Sequence, residues 1–382
     1  MHLGRIGAVA AAVALVLSGC AFPGGSQSAV VGEYAPADAA LAALQGKVFS
    51  KGPNGEEAAT ADSAVLTDAE VQQIKGLKAK AAISMHTSGD DWSTAQINGL
   101  KSEFSKLGIE VVAVTDAGFD PKKQVSDLQT ISARKPDIIV SLPTDPVATA
   151  ATYKAAAADG AKLVFMDNVP KGLAHGKDYV TTVSADNYGN GVISAHLMAK
   201  ALSGKGTIGV VYHDADFFVT KQRYQGFLTT MEQTYPDIKI VESRGVGGPD
   251  FAGDAQNAAN AILSKHPDLN GIWAVWDVPA EGVLAAARGH GRLDLKIATE
   301  DLGTVVAINM AAKKMVVGLG AQVPFDQGVA EARLGAGALI GKAAPPYIAL
   351  SALAVTHDNV LQAWKQVYHT DPPAELLKSF TP

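Results

Sequence analysis

Residues 81–114 read AAISMHTSGDDWSTAQINGLKSEFSKLGIEVVAV and contain one complete structural unit. A short apolar run over 81–85 is followed by an amphipathic stretch over 94–107 and then by a second β-rich run over 109–114. Short apolar runs that alternate with longer segments of helical period are typical of strand–helix–strand units in a parallel sheet. This stretch therefore predicts an α/β fold.

The same alternation continues along the chain and forms two series. The first series continues with predicted strands at 137–141 and 162–166 and helices near 121–134 and 146–158. The second series has predicted strands at 207–212, 238–242, 271–275, 295–299 and 316–320, and helices near 222–235, 251–265, 280–289 and 305–314. Two successive series of similar order favour two doubly wound parallel-sheet lobes over one closed eight-stranded barrel. The stretch 182–191 would then cross between the lobes.

The N-terminal end of the chain has the pattern of an export signal. Basic residues precede an apolar run over 6–17, which is too short for a comfortable membrane span. It ends in Leu17-Ser18-Gly19-Cys20, which resembles the lipobox of bacterial lipoproteins, where cleavage leaves a diacylglycerol-modified cysteine at the mature N-terminus. We therefore interpret residues 1–20 as a lipoprotein signal peptide with its lipobox. Cleavage before Cys20 would make Cys20 the first residue of the mature protein, and its lipid would anchor the protein to the outer face of the cytoplasmic membrane.

The stretch 21–66 is rich in Gly, Ser, Pro and Ala, and we interpret it mainly as a tether, although 37–49 could form a helix. The folded body is predicted to begin at Thr67, which forms a capping-box pair with Glu70. Because Cys20 is the only cysteine in 382 residues, no intramolecular disulfide can form, and stability must come from the core.

Composition and missing motifs exclude several classes of function. The chain is 47% hydrophobic and carries a net charge of −6, which argues against an electrostatic nucleic-acid binder. It contains no Gly-x-Ser-x-Gly, His-Glu-x-x-His, Cys-x-x-Cys or Walker-type phosphate loop. A metal site at His213, Asp214 and Asp216 is disfavoured, because alternate residues of a strand point to opposite faces. We expect neither enzymatic activity nor a cofactor or metal.

Polar and indole side chains follow the predicted strands at their carboxyl ends, where open parallel sheets bind ligands. They are Asp90, Asp91 and Trp92 after the first strand, Asp167 and Asn168 after the fourth, and Trp276, Asp277, Asp301 and Gln322 in the second series. Carboxylates and amides hydrogen-bond hydroxyl groups, indole faces cover apolar C–H surfaces, and Arg223 could add a planar donor fork. The set predicts a small sugar or polyol as ligand. The alternative is that these Asp residues only cap helices and the Trp residues complete the core.

From about residue 78 to residue 368 the chain resembles the ribose-binding-protein family of periplasmic sugar-binding proteins, the substrate receptors of ABC importers. The resemblance rests on Ser184-Ala-Asp-Asn-Tyr-Gly189, Pro143-Thr-Asp145, Phe165-Met-Asp167, Arg223 ahead of Gly226-Phe227, and Ala321-Gln-Val-Pro324. It implies ligand contacts at Asp90, Trp92, Asp167, Arg223, Asp301 and Gln322. Where ribose binders carry Arg or Asn, this chain has Leu142, Asn168 and Trp276. These departures favour another pentose, a deoxy sugar or an alditol over ribose.

The resemblance also implies the type I periplasmic-binding-protein arrangement, in which a three-segment hinge joins the lobes. The hinge segments fall near 184–187, near 322–324 and after Pro345. The N-terminal lobe would comprise 67–184 and about 323–347, and the C-terminal lobe 185–322 and about 348–382. The protein is expected to be a monomer whose ligand-closed form is recognised by the membrane subunits of an ABC importer. An envelope receptor that delivers a sugar or autoinducer to a membrane sensor is the alternative.

Overall fold

The computed structural model describes residues 34–382, and these contain two six-stranded sheets. The strands of the first sheet are β1 (Lys80–Met85), β2 (Glu110–Asp116), β3 (Ile138–Ser141), β4 (Lys162–Met166), β5 (Thr181–Ala185) and β11 (Tyr347–Leu350). They lie in the order β11-β5-β4-β3-β1-β2, and every neighbouring pair is parallel.

The second sheet repeats the same arrangement. Its strands are β6 (Gly206–His213), β7 (Ile238–Val246), β8 (Gly271–Ala274), β9 (Lys296–Glu300), β10 (Val316–Ala321) and β12 (Leu353–Val355). Their order is β12-β10-β9-β8-β6-β7, and all pairs are parallel except β12, which runs antiparallel to β10. The expectation of two doubly wound lobes is confirmed.

Helices connect and cover these strands. They are α1 (Ala35–Leu44), α2 (Asp68–Leu77), α3 (Asp91–Lys106), α4 (Pro121–Ala133), α5 (Ala150–Ala158), α6 (Asn187–Ala201), α7 (Phe218–Thr234), α8 (Phe251–Lys265), α9 (Asp277–Gly289), α10 (Thr304–Ala311), α11 (Pro324–Leu339), α12 (Val360–Tyr368) and α13 (Ala374–Ser379). The inner strands β3 and β8 are buried along their whole length, as expected of parallel strands covered on both faces. Among residues 34–382, no helix is both long and apolar enough to cross a bilayer.

The chain passes between the two lobes three times. It leaves β5 for α6, which packs against α7 and β10, and it leaves β10 for α11, which packs against α3. The third passage lies between Leu350 and Leu353, a few residues after the predicted boundary near 348. The difference arises because Tyr347–Leu350 is a buried run that pairs with β5 in the first sheet.

Residues 34–66 differ from the predicted tether, because they pack against both lobes. Helix α1 lies on α6, where Ala37 is fully buried and Asp38 forms an ion pair of 2.6 Å with Lys200. Further along, Ala59 exchanges backbone hydrogen bonds with β11 of the first sheet. Cys20, the export signal and residues 21–33 lie outside the described residues.

Asp186 holds this N-terminal segment at the first passage between the lobes. Its Oδ1 accepts hydrogen bonds from the backbone N–H groups of Ser50 (2.8 Å) and Gly189 (2.9 Å), and its Oδ2 accepts from Phe49 N–H (3.0 Å). The carboxylate is fully buried, and it caps α6. One side chain therefore satisfies three backbone donors, of which those of Ser50 and Gly189 are in buried residues.

We expect Asp186→Ala to lower the free energy of unfolding by about 2–4 kcal/mol, because it leaves buried N–H groups without acceptors. Urea denaturation monitored by circular dichroism measures the change. Asp186→Asn keeps one acceptor oxygen and should lose less. An unchanged unfolding midpoint in Asp186→Ala would show that the segment does not depend on this carboxylate.

Candidate ligand-binding site between the lobes

A buried ion pair forms the centre of the candidate site. Arg223, on α7, is 2% exposed and donates from Nη1 to Asp301 Oδ2 (2.8 Å) and from Nη2 to Asp301 Oδ1 (3.2 Å). Gln322 Nε2 donates to the same Asp301 Oδ1 at 3.0 Å. Burial opposes the guanidinium charge, but the carboxylates of Asp301 and Glu300 outweigh it and raise the pKa of Arg223. Three residues predicted from separate stretches therefore form one network.

Asp167 and Asp301 occupy equivalent places in the two lobes. Asp167 follows β4 and Asp301 follows β9, and both adopt left-handed backbone conformations, with φ of 55° and 63°. Each donates its backbone N–H to the neighbouring strand at 2.9 Å, to Val183 O and Gly320 O respectively. Left-handed backbone is costly for residues other than glycine and is concentrated at functional sites. The fold therefore holds both carboxylates at the strand ends at a conformational cost.

Burial raises the pKa of Asp167 to about 6. Its Oδ1 accepts a hydrogen bond from Ser184 Oγ at 2.5 Å, which partly offsets the burial. The carboxyl is therefore close to its titration range near neutral pH, and small changes in its surroundings alter its charge.

This shift predicts how an Asp167→Asn variant differs in stability. The pKa is higher in the folded than in the unfolded chain, so the folded state binds more protons between pH 4 and 6, and wild-type stability falls as pH rises through that window. We expect the variant to match wild type near pH 4 and to exceed its free energy of unfolding by about 2 kcal/mol at pH 7. Urea denaturation at several pH values measures the difference. A difference that stays constant with pH would contradict the assignment.

The other predicted residues of the N-terminal lobe differ in whether their polar atoms already have hydrogen-bond partners in the protein. Asp90 caps α3 by accepting hydrogen bonds from Ser93 N–H (2.6 Å) and from Ser93 Oγ (2.8 Å), as in the alternative that these Asp residues cap helices. Burial raises the pKa of Asp90. Asn168 is buried and donates to Pro143 O at 3.2 Å. Trp92 Nε1, by contrast, is buried without a hydrogen-bond partner among the described residues.

Asp91 makes its contact across the cleft. Its Oδ2 accepts hydrogen bonds from both the backbone N–H and the hydroxyl of Thr304, on α10 of the other lobe, at 2.7 Å each. One oxygen of a residue predicted to contact ligand is therefore engaged by protein, and the two lobes are in direct contact here.

The second lobe contributes Trp276 and Asp277 at the start of α9. The Trp276 ring contacts Phe251 and His213, with centroids 5.0 and 5.4 Å away. Burial raises the pKa of Asp277 well above its usual range, and the charges of Asp301 and Asp90 raise it further. Asp277 therefore lies in the same group of carboxyls as the strand-end residues.

Aromatic rings from both lobes line the cleft, and four of them were not among the predicted site residues. His86 and Phe119 of the first lobe contact each other at 4.8 Å, and they face Phe217 (6.4 Å from His86) and Phe251 (5.5 Å from Phe119) of the second lobe. His86 could have been found, because it is the residue directly after β1. The other three lie in loops or at helix starts, and no strand-end pattern marks them.

Three buried polar atoms around this cleft lack hydrogen-bond partners within residues 34–382: His86 Nδ1, Trp92 Nε1 and Gln322 Oε1. Burial lowers the pKa of His86 to about 4, so its ring is neutral at pH 7 and can donate or accept. Buried polar groups are normally paired, so these atoms are suited to a ligand that brings its own donors and acceptors.

The charges of the site favour a neutral ligand. Arg223 is already paired with Asp301, so it offers no free positive charge to an anion. No cluster of three or more His, Cys, Asp or Glu side chains in the described part of the chain could hold a metal ion. A molecule with several hydroxyls and an apolar face matches both the unpartnered polar atoms and the aromatic surfaces.

Comparisons with known proteins agree with the two-lobe fold. The periplasmic binding protein domain family matches residues 81–343. The ribose import binding protein of Bacillus subtilis is 25% identical over 210 residues, which cover 55% of this chain and 66%, just under two thirds, of the relative.

Two solved structures of ABC transporter solute-binding proteins from Agrobacterium vitis share the fold. One, bound with α-D-tagatopyranose, has a TM-score of 0.69 and 23% identity, covering 76% of this chain and 99% of that one. The other, with bound allitol, has a TM-score of 0.65 and 26% identity, covering 75% and 98%. On the family match over residues 81–343, the chain belongs to the periplasmic binding protein domain family.

Proposed function

We propose that this protein is the substrate-binding lipoprotein of an ABC importer and that it binds a small neutral sugar or polyol between its lobes. The observation that carries the proposal is the buried network of Arg223, Asp301 and Gln322 beside unpartnered polar atoms and between aromatic surfaces. The relatives support the same ligand class, since one is named for ribose and the solved structures hold tagatose and allitol.

The departures from ribose binders narrow the proposed ligand. Asn168 donates to a backbone carbonyl instead of presenting a charged fork, and Trp276 adds apolar surface where an amide is expected. Fewer charged donors and more ring surface suit a ligand with fewer or differently placed hydroxyls. A pentose other than ribose, a deoxy sugar or an alditol fits this description.

A thermal-shift screen over pentoses, hexoses, deoxy sugars and alditols tests the proposal. A ligand with micromolar Kd, at millimolar concentration, stabilises the folded state by about 4 kcal/mol, which displaces the unfolding temperature by several degrees. D-ribose should give a smaller shift than the best ligand. If no compound of these classes moves the transition, the proposed ligand class is wrong.

The lipid anchor is a separate part of the proposal and rests on Cys20. We expect Cys20→Ala to move the protein from the membrane fraction to the soluble envelope fraction, because no thiol remains to carry the diacylglycerol. Fractionation followed by immunoblotting measures the distribution, with Ser26→Ala as a matched control that keeps the lipobox. Retention of Cys20→Ala in the membrane at the wild-type level would place the anchor elsewhere.

A further inference from the structure

The N-terminus of α10 lacks a cap from its own chain segment. The residue at the N-cap position is Gly303, which has extended backbone (φ −68°, ψ 156°) and no side chain to accept a hydrogen bond. A Cβ at Gly303 would collide with the Asp277 carboxylate. A side chain at position 303 could therefore cap the helix only if Asp277, one of the carboxyl side chains at the cleft, were displaced.

The missing cap comes from the other lobe. Helix α3, which carries Asp91, packs against α11 and the first sheet, whereas α10 packs against α9, α13 and β10. Asp91 Oδ2 accepts from Thr304 N–H and Oγ–H at 2.7 Å each, so it satisfies one of the backbone donors that the start of a helix leaves without an intrahelical partner. A carboxylate at a helix N-terminus also interacts favourably with the helix dipole. The contact joins residues 213 positions apart and requires the lobes to be together.

We propose that Asp91 and Thr304 form a latch that stabilises the closed arrangement of the lobes, so that Asp91 is a positioning residue for closure instead of a ligand contact. The inference rests on the proposed function in that closure is what retains the ligand. In the open form water replaces the cap, so the latch adds free energy only to the closed form. It contributes equally to every ligand that closes the lobes.

Thr304 allows a substitution that removes the latch without touching the cleft. Thr304→Pro deletes both donors, and proline is well tolerated at the first position of a helix, where its N–H would make no intrahelical bond. The extended backbone of Gly303 is also the conformation that a following proline requires. Thr304→Ser keeps both donors and is the matched control.

The first measurement needs no ligand. Phe119→Cys and Phe251→Cys are introduced into the full chain carrying Cys20→Ser, which leaves no other thiol, because Cys20 is the only native cysteine. The two native rings lie 5.5 Å apart across the lobes, so a short bifunctional thiol reagent joins these positions only when the lobes close. The trapping rate is then proportional to the closed population, even when that population is small.

We expect Thr304→Pro and Asp91→Ala each to lower the trapping rate about five- to tenfold, and the double variant to lower it no further than either alone. Thr304→Ser should trap at the wild-type rate. Unchanged trapping in Thr304→Pro, or effects of the two substitutions that multiply in the double variant, would overturn the latch.

The second measurement uses allitol, D-tagatose and D-ribose as probes with otherwise wild-type cleft residues. The latch forms after encounter, so Thr304→Pro should raise the dissociation rate of each bound probe by the same factor and leave the association rate unchanged. A factor that differs between probes would indicate a ligand contact instead of a latch. If none of the three probes binds wild type, the thermal-shift screen decides the proposed ligand class, and the trapping rates, which need no ligand, still decide the latch.

Discussion

Arg223→Ala is expected to weaken sugar or polyol binding by at least about 100-fold. The substitution removes the guanidinium that holds the Asp301 carboxylate in place, and Asp301 in turn accepts the hydrogen bond of Gln322 Nε2. Breaking a buried ion pair by removing one partner typically costs about 3–5 kcal/mol. Because we expect the ligand to bind against Asp301 and Gln322, whose positions depend on this pair, we expect the loss to appear as two or more orders of magnitude in Kd. Isothermal titration with the best ligand from the thermal-shift screen measures the change.

Two controls separate this effect from a general loss of structure. Arg223→Lys keeps the charge but not the planar fork, so it should bind with an affinity between those of wild type and Arg223→Ala. Arg288→Ala removes an exposed arginine near the end of α9 and should bind like wild type. If Arg223→Ala binds within threefold of wild type while its circular dichroism is unchanged, the central network does not carry binding.

Asp301→Ala is expected to cause the second large effect, this time on stability without ligand. It leaves the Arg223 guanidinium buried without its counter-ion, and Gln322 Nε2 without an acceptor. Removing one partner of a buried pair typically costs 3–5 kcal/mol, because an uncompensated charge stays in a poorly solvated place. We expect a loss of about 3–4 kcal/mol in the free energy of unfolding, measured by urea denaturation.

The matched variants for this prediction are Asp301→Asn and the double variant Arg223→Met with Asp301→Ala. Asparagine keeps an acceptor and most of the shape, so it should lose less than alanine. The double variant removes the stranded charge and should recover part of the loss, because the penalty belongs to the unpaired guanidinium. A double variant less stable than Asp301→Ala would contradict this account of the pair.

Nine of the twelve strands in residues 34–382 and many of the helices could be predicted, because their signals are local. Each of the nine predicted strands is present, and the capping box at Thr67 and Glu70 is formed as expected. Apolar runs such as 162–166 leave little alternative to a buried parallel strand. The chain-wide alternation therefore gave the architecture without any tertiary information.

Two fully or almost fully buried elements, α6 and β5, were not predicted. Helix α6 is almost entirely buried, so it has no polar face and no amphipathic period. Its Gly191 lies against the backbone of Arg223, where a Cβ would collide. The neighbouring strand β5, with the sequence TTVSA, reads as polar although it is fully buried. Such segments depend on tertiary contacts with neighbouring elements of the fold, which a local pattern does not contain.

The sequence indicated several residues of the candidate site, but it did not indicate their backbone conformations or their contacts across the lobes. Strand-end reasoning found Asp167, Asp301 and Gln322, but nothing in the sequence marks the left-handed backbone at the two Asp residues, since neither is a glycine. The cross-lobe contacts of Phe119 with Phe251 and of Asp91 with Thr304 exist only when the lobes meet. Spacing along the chain gives no information about that meeting.

The most direct test of the central claim is a crystal structure of the protein with the sugar or alditol that gives the largest thermal shift. We expect one molecule between the lobes, with oxygens within hydrogen-bond distance of Gln322 Oε1, Trp92 Nε1 and the Asp167 carboxyl, and with its C–H face against the aromatic rings. A ligand bound outside the cleft, or bound within it without contact to the Asp301 and Gln322 end, would contradict the account.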